Sequence, residues 1–228
     1  MSIKILKDET KDLKKEITLF LRMVCLCQHD QVYLFENHNK HLINRSNQKV
    51  LKATVLLMLY NLIEATITKL IKEITNEINN NSVAYIDLID NVKKAWIKIH
   101  CRAPLLECKK ENFPSKMHEY MEETLNKTAI KLEIATLRGL ISGNADSENI
   151  KKVCFEYGIK ILKHCSELDM VKQKRNELAH GESRFTEVGG NITESELKKY
   201  KEAVYQHLDL VIKSTEKYLK NKEYKKTS

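Results

Sequence analysis

Turn-forming residues are scarce: two prolines and six glycines in 228 residues. So little chain punctuation reads as a protein that is nearly all helix. Long hydrophobic runs are missing as well. The longest uncharged stretch, Ala53 to Ile63, is far short of the roughly 18 residues a membrane span needs, and the opening MSIKILKDETKDLKK lacks the apolar core of a signal peptide. The expectation is a soluble, cytoplasmic chain with no membrane partner. Cys25, Cys27, Cys101, Cys108, Cys154 and Cys165 contain no CxxC pair and no short secreted framework. They are expected as reduced, mostly buried thiols.

What abounds is Lys, Leu, Ile, Glu and Asn, and the formal net charge is +8. That balance points to an anionic partner, nucleic acid before membrane, or else to a lysine-rich solvated surface. The length supports one good-sized core. We divide the single domain 1–228 into a helical extension over 1–45, a core over 46–222 and a basic tail over 223–228.

Helix-like spacing of Leu6, Leu13, Ile17, Phe20 and Val24 predicts a first helix near 4–27. His29 to His41 reads as either a second short helix or a loop. Its residues Cys25, Cys27, His29, His38 and His41, like His100, Cys101, Cys108 and His118 further on, match no structural zinc spacing, and neither a metal nor another cofactor is assigned. The longest helix is predicted from Ser46 to Asn79, capped by Ser46 or Asn47, with Val50, Ala53, Leu57, Tyr60, Glu64, Ile67, Ile71, Ile74 and Ile78 inward. Glu64 is a charge on an apolar stripe. Leu88, Val92, Trp96 and Ile99 mark the next helix, 101–115 a connection, and another helix starts near Ser115 after Pro114. Ile130, Leu132 and Ile134 suit a short extended piece or a continued helix. SGNADSEN at 142–149 is a turn whose Asp146 or Ser147 caps a short helix with Ile150, Val153, Cys154 and Tyr157 inward and Gly158 as its stop. Gly189 to Asn191 read as a tight turn, Thr193 and Glu196 as the capping box of a last helix, and its basic end as a tail that frays.

Between these elements lies KQKRNELAHGESRFTEVGG, residues 172–190. Leu168, Val171, Arg175 and Leu178 share a helical stripe, so an arginine occupies a core slot. At about 100° per residue, Asn176 and His180 follow it by roughly 100° and 140°, and the helix's last turn is expected to present guanidinium, amide and imidazole on one side. Gly181 then ends the helix, and Ser166 is its expected cap. An arginine among apolar neighbours is costly without an anion. The cheapest arrangement sets Arg175 against Glu64; the alternative lets Glu64 reach solvent by local winding.

RNELAHG resembles the Arg–polar–x3–His motif of HEPN-domain ribonucleases. With LLMLYNLIEATI at 56–67, SGNADSENIKKVCFEYGI at 142–159, Phe185 and the capped last helix, it is identified with the MAE-type HEPN-like branch, over most of the chain from about residue 50. The resemblance implies a four-helix, largely up-and-down core, here an all-α bundle of about six to eight helices with an N-terminal helical extension. It also implies a homodimer with a composite active site and metal-independent RNA cleavage in toxin–antitoxin or phage-defence systems. On that pattern Arg175 and His180 are the catalytic pair, Asn176 is the polar residue and Glu64 supports them; an antitoxin or defence-system partner protein is implied too. Where many HEPN toxins have a tyrosine after the histidine, this chain has Gly181, Glu182 and Ser183, so control through that residue is not expected. The residues before 45 have no counterpart in the resemblance. Alternative readings are a non-catalytic HEPN-type module binding RNA, nucleotide or protein, an antitoxin-like partner of a catalytic relative, or simply a buried arginine with His180 capping a helix end.

Overall fold

A computed structural model describes residues 3–29, 31–98, 109–126, 129–132 and 143–226. Among the described residues are eight α-helices and one hairpin: α1 (Ile3–Leu26), β1 (Tyr33–Glu36), β2 (Asn39–Leu42), α2 (Arg45–Asn80), α3 (Asp90–Trp96), α4 (Phe113–Leu125), α5 (Ser147–Glu156), α6 (Ser166–Ala179), α7 (Phe185–Gly190) and α8 (Glu194–Lys220). The all-α bundle expected from composition is the architecture found.

α2 is its axis, with α1, α6, α7 and α8 packed around it. One apolar stripe was expected along α2, and that is too narrow. Val55, Leu56, Leu59, Leu62, Ile63 and Leu70 are buried in addition to Ala53, Tyr60, Ile67, Ile71, Ile74 and Ile78, whereas Val50 is exposed. A helix surrounded by neighbours is apolar on several faces, which flattens the amphipathic signal. The same property gives α2 the length and apolarity of a membrane span, but half of its most apolar window is covered by the rest of the bundle.

Three local expectations are corrected. The segment read as a helix or loop is an antiparallel hairpin pairing Tyr33 with Leu42 and Glu36 with Asn39, its bend eased by Asn37 at φ 54°. All eight strand residues are exposed, so no burial alternation advertises them. The cap of α2 is Asn44, whose side chain accepts from the Asn47 amide while Asn47 returns the bond. Asn47 is thus the third helical residue of a reciprocal box, a role in which Asn stands where Glu or Gln is usual.

The third concerns Gly189 and Gly190, which are the end of α7 and not a turn. A Cβ on Gly189 would lie 1.8 Å from the Lys49 carbonyl oxygen, so the glycine exists to let α7 lie on the first turns of α2.

The basic tail is also held. Tyr224 is fully buried beside Tyr218, Ile89 N–H donates to the Tyr224 carbonyl at 3.0 Å, and Lys226 N–H donates to that of Asp87 at 2.8 Å. Elsewhere expectation and structure coincide: Asp146 caps α5, Gly158 follows it at φ 84°, and Thr193 with Glu196 boxes the start of α8. Ile130 and Leu132 are buried in an irregular segment, bound to Val83 and Asn79; Ile134, Ile99, His100, Cys101 and Cys108 lie outside the described residues. Cys25, Cys27, Cys154 and Cys165 are free thiols, all but Cys25 buried.

Candidate functional site

α6 carries the site, and its first turn is set by charge. Glu167 and Asp169 offset the helix dipole there. Ser166 does not cap: Cys165 holds the cap position without a side-chain bond, while the Ser166 hydroxyl bonds Glu167. The start of α5 takes over the bracing, with the Ser147 amide donating to Asp169 at 2.9 Å and the Ser147 hydroxyl accepting from the Cys165 amide at 2.9 Å. Leu168, Val171 and Leu178 then anchor the inward face.

Arg175, on that same face, reaches α2. Its guanidinium carbon lies 4.2 Å from the Tyr60 ring centroid, Nη1 donates to Asn176 Oδ1 at 2.9 Å, and Nη2 stands 3.7 Å from Glu64 Oε2. The expected pairing of Arg175 with Glu64 forms, and the side chains keep 24% and 27% of their exposure. That is neither sealed nor solvated. A guanidinium stacked on an aromatic face and flanked by a carboxylate has its charge compensated without full burial. Glu64 Oε1 also accepts from the Gly143 amide at 3.3 Å, and the Tyr60 hydroxyl accepts from the Ala145 amide at 3.3 Å. The turn before α5 is therefore tied to the same two residues of α2 that hold the arginine. Burial pushes the Tyr60 phenol above its ordinary range, with the Ala145 N–H and the Arg175 charge opposing.

His180 occupies the C-cap of α6, its amide donating to the Asn176 carbonyl at 3.0 Å, and Gly181 turns the chain away at φ 70°. A side chain on Gly181 would meet nothing within 4 Å, so only the backbone angle asks for glycine. The imidazole is exposed and has no hydrogen-bond or ion-pair partner among the described residues. With Asn176, Lys172, Gln173, Asp146, Asp169, Glu177 and Glu182 it lines an open groove of about 530 Å³.

The helical wheel placed guanidinium, amide and imidazole on one side. That is corrected here: Arg175 turns to α2 and is not in the groove wall, His180 faces the groove, and Asn176 touches both settings. The arginine follows the ring and carboxylate that stabilise it, which a wheel cannot show. Two of the groove's acids already pair with lysines, Asp146 with Lys172 at 2.6 Å and Glu177 with Lys174 at 3.0 Å, and Asp169 lies 3.1 Å from His164 Nε2. Burial raises the Asp146 carboxyl, but the bonds from Lys172 and the Asn149 amide outweigh it and hold the group below its usual range.

Tyr60, Gly143 and Ala145 went unnoticed as site-builders in the sequence. Tyr60 and Glu64, one turn apart on α2, were the available signal. Among the described residues no cluster of three or more His, Cys, Asp or Glu side chains is arranged to hold a metal.

An all-α bundle in which one helix ends in Arg-Asn-x3-His, its arginine held by a core helix, defines a HEPN module. The HEPN_MAE_28990-like HEPN family model matches residues 2–224, and the chain belongs to that family. The match begins at residue 2, so the stretch before 45 that the motifs had left without a counterpart lies inside the family's own pattern. No curated protein and no solved structure matches the chain.

Proposed function

We propose that this HEPN module is a cytoplasmic, metal-independent endoribonuclease acting as a homodimer, an effector of a toxin or phage-defence system with a cognate partner protein. The posture of Arg175 carries the reading: a guanidinium held over Tyr60 yet a quarter exposed, linked through Asn176 to a groove in which His180 has no partner among the described residues. RNA carries its own nucleophile. His180 takes the proton of a ribose 2′-hydroxyl, the 2′-oxygen bonds to the adjacent phosphorus, and the bond from phosphorus to the 5′-oxygen breaks. Arg175 stabilises the charge gathering on the phosphate oxygens.

The leaving 5′-oxygen needs a proton that one His180 cannot supply while acting as base. A second copy's His180 answers that need by giving its proton to the leaving oxygen, and Arg175 resting on α2 while His180 lines the groove likewise favours a site shared by two copies. The products are a 2′,3′-cyclic phosphate and a 5′-hydroxyl. The test incubates purified wild type, His180→Ala and Arg175→Ala with RNA in excess chelator and analyses the fragment ends. Cutting by wild type alone, with cyclic phosphate ends, is expected; chelator-sensitive cutting, 3′-hydroxyl ends, or an active His180→Ala sinks the proposal.

The groove also supports a second reading. Asp146, Asp169, Glu177 and Glu182 surround His180, a wall that repels a polyanion where it is not neutralised. A non-catalytic module that binds a protein or nucleotide, or an antitoxin-like partner of a catalytic relative, tolerates such a wall. Expression of the protein alone separates these: growth arrest that depends on His180 belongs to the nuclease, and a harmless product that rescues cells from a toxic neighbour belongs to the antitoxin.

A further inference from the structure

Between α5 and α6 the chain runs irregularly from Gly158 to Cys165. Ile159 and Ile161 are buried and Lys160 and Leu162 exposed, the alternation of an extended strand, and Lys163 and His164 after them are both exposed. Yet it pairs with nothing: among the described residues, no backbone N–H or C=O from Lys160 through His164 makes a hydrogen bond. Beside it opens an apolar groove of about 580 Å³ walled by Phe155, Ile159, Ile161 and Leu162. Leu162 keeps 88% of its exposure and Phe155 59%. Lys151, Lys152 and Lys160 rim the groove against one acid, Glu148, which pairs with Lys151.

We infer that this edge and groove dock an acidic, extended segment of a partner protein, which adds as a strand along Lys160–His164 and seats apolar side chains against Phe155 and Leu162. The backbone decides among occupants. Phosphates of RNA or of lipid headgroups accept hydrogen bonds but do not donate them, and would leave the carbonyls of this stretch unpaired; a peptide satisfies both kinds of group at alternate positions. The lysine rim selects acidic side chains on the incoming chain. The inference does not rest on the nuclease reading. The groove adjoins the start of α6, and His180 ends that helix about 20 Å further along its axis, so docking leaves the Arg175–His180 region uncovered.

The test uses the full chain and a fluorescein-labelled peptide of alternating glutamate and leucine, with anisotropy and amide hydrogen exchange as readouts. We expect binding at ~100 µM or tighter with slowed exchange at 160–164. Leu162→Asp and Phe155→Ser, both changes at exposed side chains, should each weaken it about tenfold without shifting the thermal midpoint, and His180→Ala should bind as wild type does. The inference is overturned by unaltered exchange at 160–164, by equal binding of a peptide with lysine in place of glutamate, or by undiminished binding to Leu162→Asp. Protection of this segment by phosphatidylserine–phosphatidylcholine vesicles or by single-stranded RNA, in place of the peptide, overturns it too.

Discussion

Arg175 has five N–H groups, and its neighbours engage only part of them: one on Asn176 at 2.9 Å and a looser approach to Glu64 at 3.7 Å. The rest make no bond among the described residues and are what the proposed reaction would use on a phosphate. Lysine cannot reproduce both the stacking on Tyr60 and the fork, so Arg175→Lys should lower RNA cleavage ~10²-fold or more with circular dichroism unchanged; near-wild-type cutting would remove Arg175 from the reaction. Glu64 was legible as Arg175's partner because both broke apolar stripes, but the ring between them was not, since a tyrosine on such a stripe is an ordinary core residue.

His207 is a second residue whose environment makes a measurable statement. Both ring nitrogens are buried with no hydrogen-bond partner among the described residues, and burial, helped by Lys163 and His164 against Asp169, lowers its pKa from 6.5. The unfolded chain then binds a proton at a pH where the folded one does not, so stability present above about pH 6.5 is lost as pH falls toward the lowered folded value. Urea midpoints at about pH 7.5 and about pH 5.5 should converge in His207→Leu relative to wild type. Parallel losses in both proteins would show that His207 does not contribute.

At the scale of elements, close backbone approach and caps do the positioning. Gly189→Ala forces a carbon into the Lys49 peptide, 1.8 Å from its oxygen and 2.6 Å from its carbon, and neither neighbour is a flexible side-chain end. A loss of about 2–4 kcal/mol is expected in urea unfolding, and a loss under ~0.5 kcal/mol would mean that α7 shifts freely. Asp146→Ala removes the cap of α5 and the partner of Lys172 together, for about 1–2 kcal/mol. The cap at Asp146 and the capping box of Thr193 could be read from sequence because a cap is a local bond between near neighbours. Gly189 could not, because its reason lies 140 residues away at Lys49.

For the whole molecule, the ends are part of the core. Leu6, Ile17, Leu21 and Val24 of α1 are buried against the bundle, and the family match spans them. Tyr224 likewise closes a gap beside Tyr218 and Leu88. Ending the chain before residue 223 should therefore cost about 3–5 kcal/mol and lower the thermal midpoint, whereas a tail that only adds charge would leave it unchanged. The proposed dimer makes its own demand: cleavage per mole of protein should fall steeply on dilution below the dimer dissociation constant, and a rate strictly proportional to concentration would argue for a monomeric site.

Composition and periodicity by themselves determined that this chain is helical, where most helices begin and end, and that Arg175, Asn176 and His180 share the end of one helix. Those features depend on bonds and stripes within a few residues of each other. Tertiary structure alone decided that the arginine stacks on Tyr60, that the tail is held as far as Lys226, and that Lys160–His164 makes no backbone hydrogen bond among the described residues. Each of those follows from which distant surface offers a ring, a cavity or nothing at all, and such offers have no period along the chain.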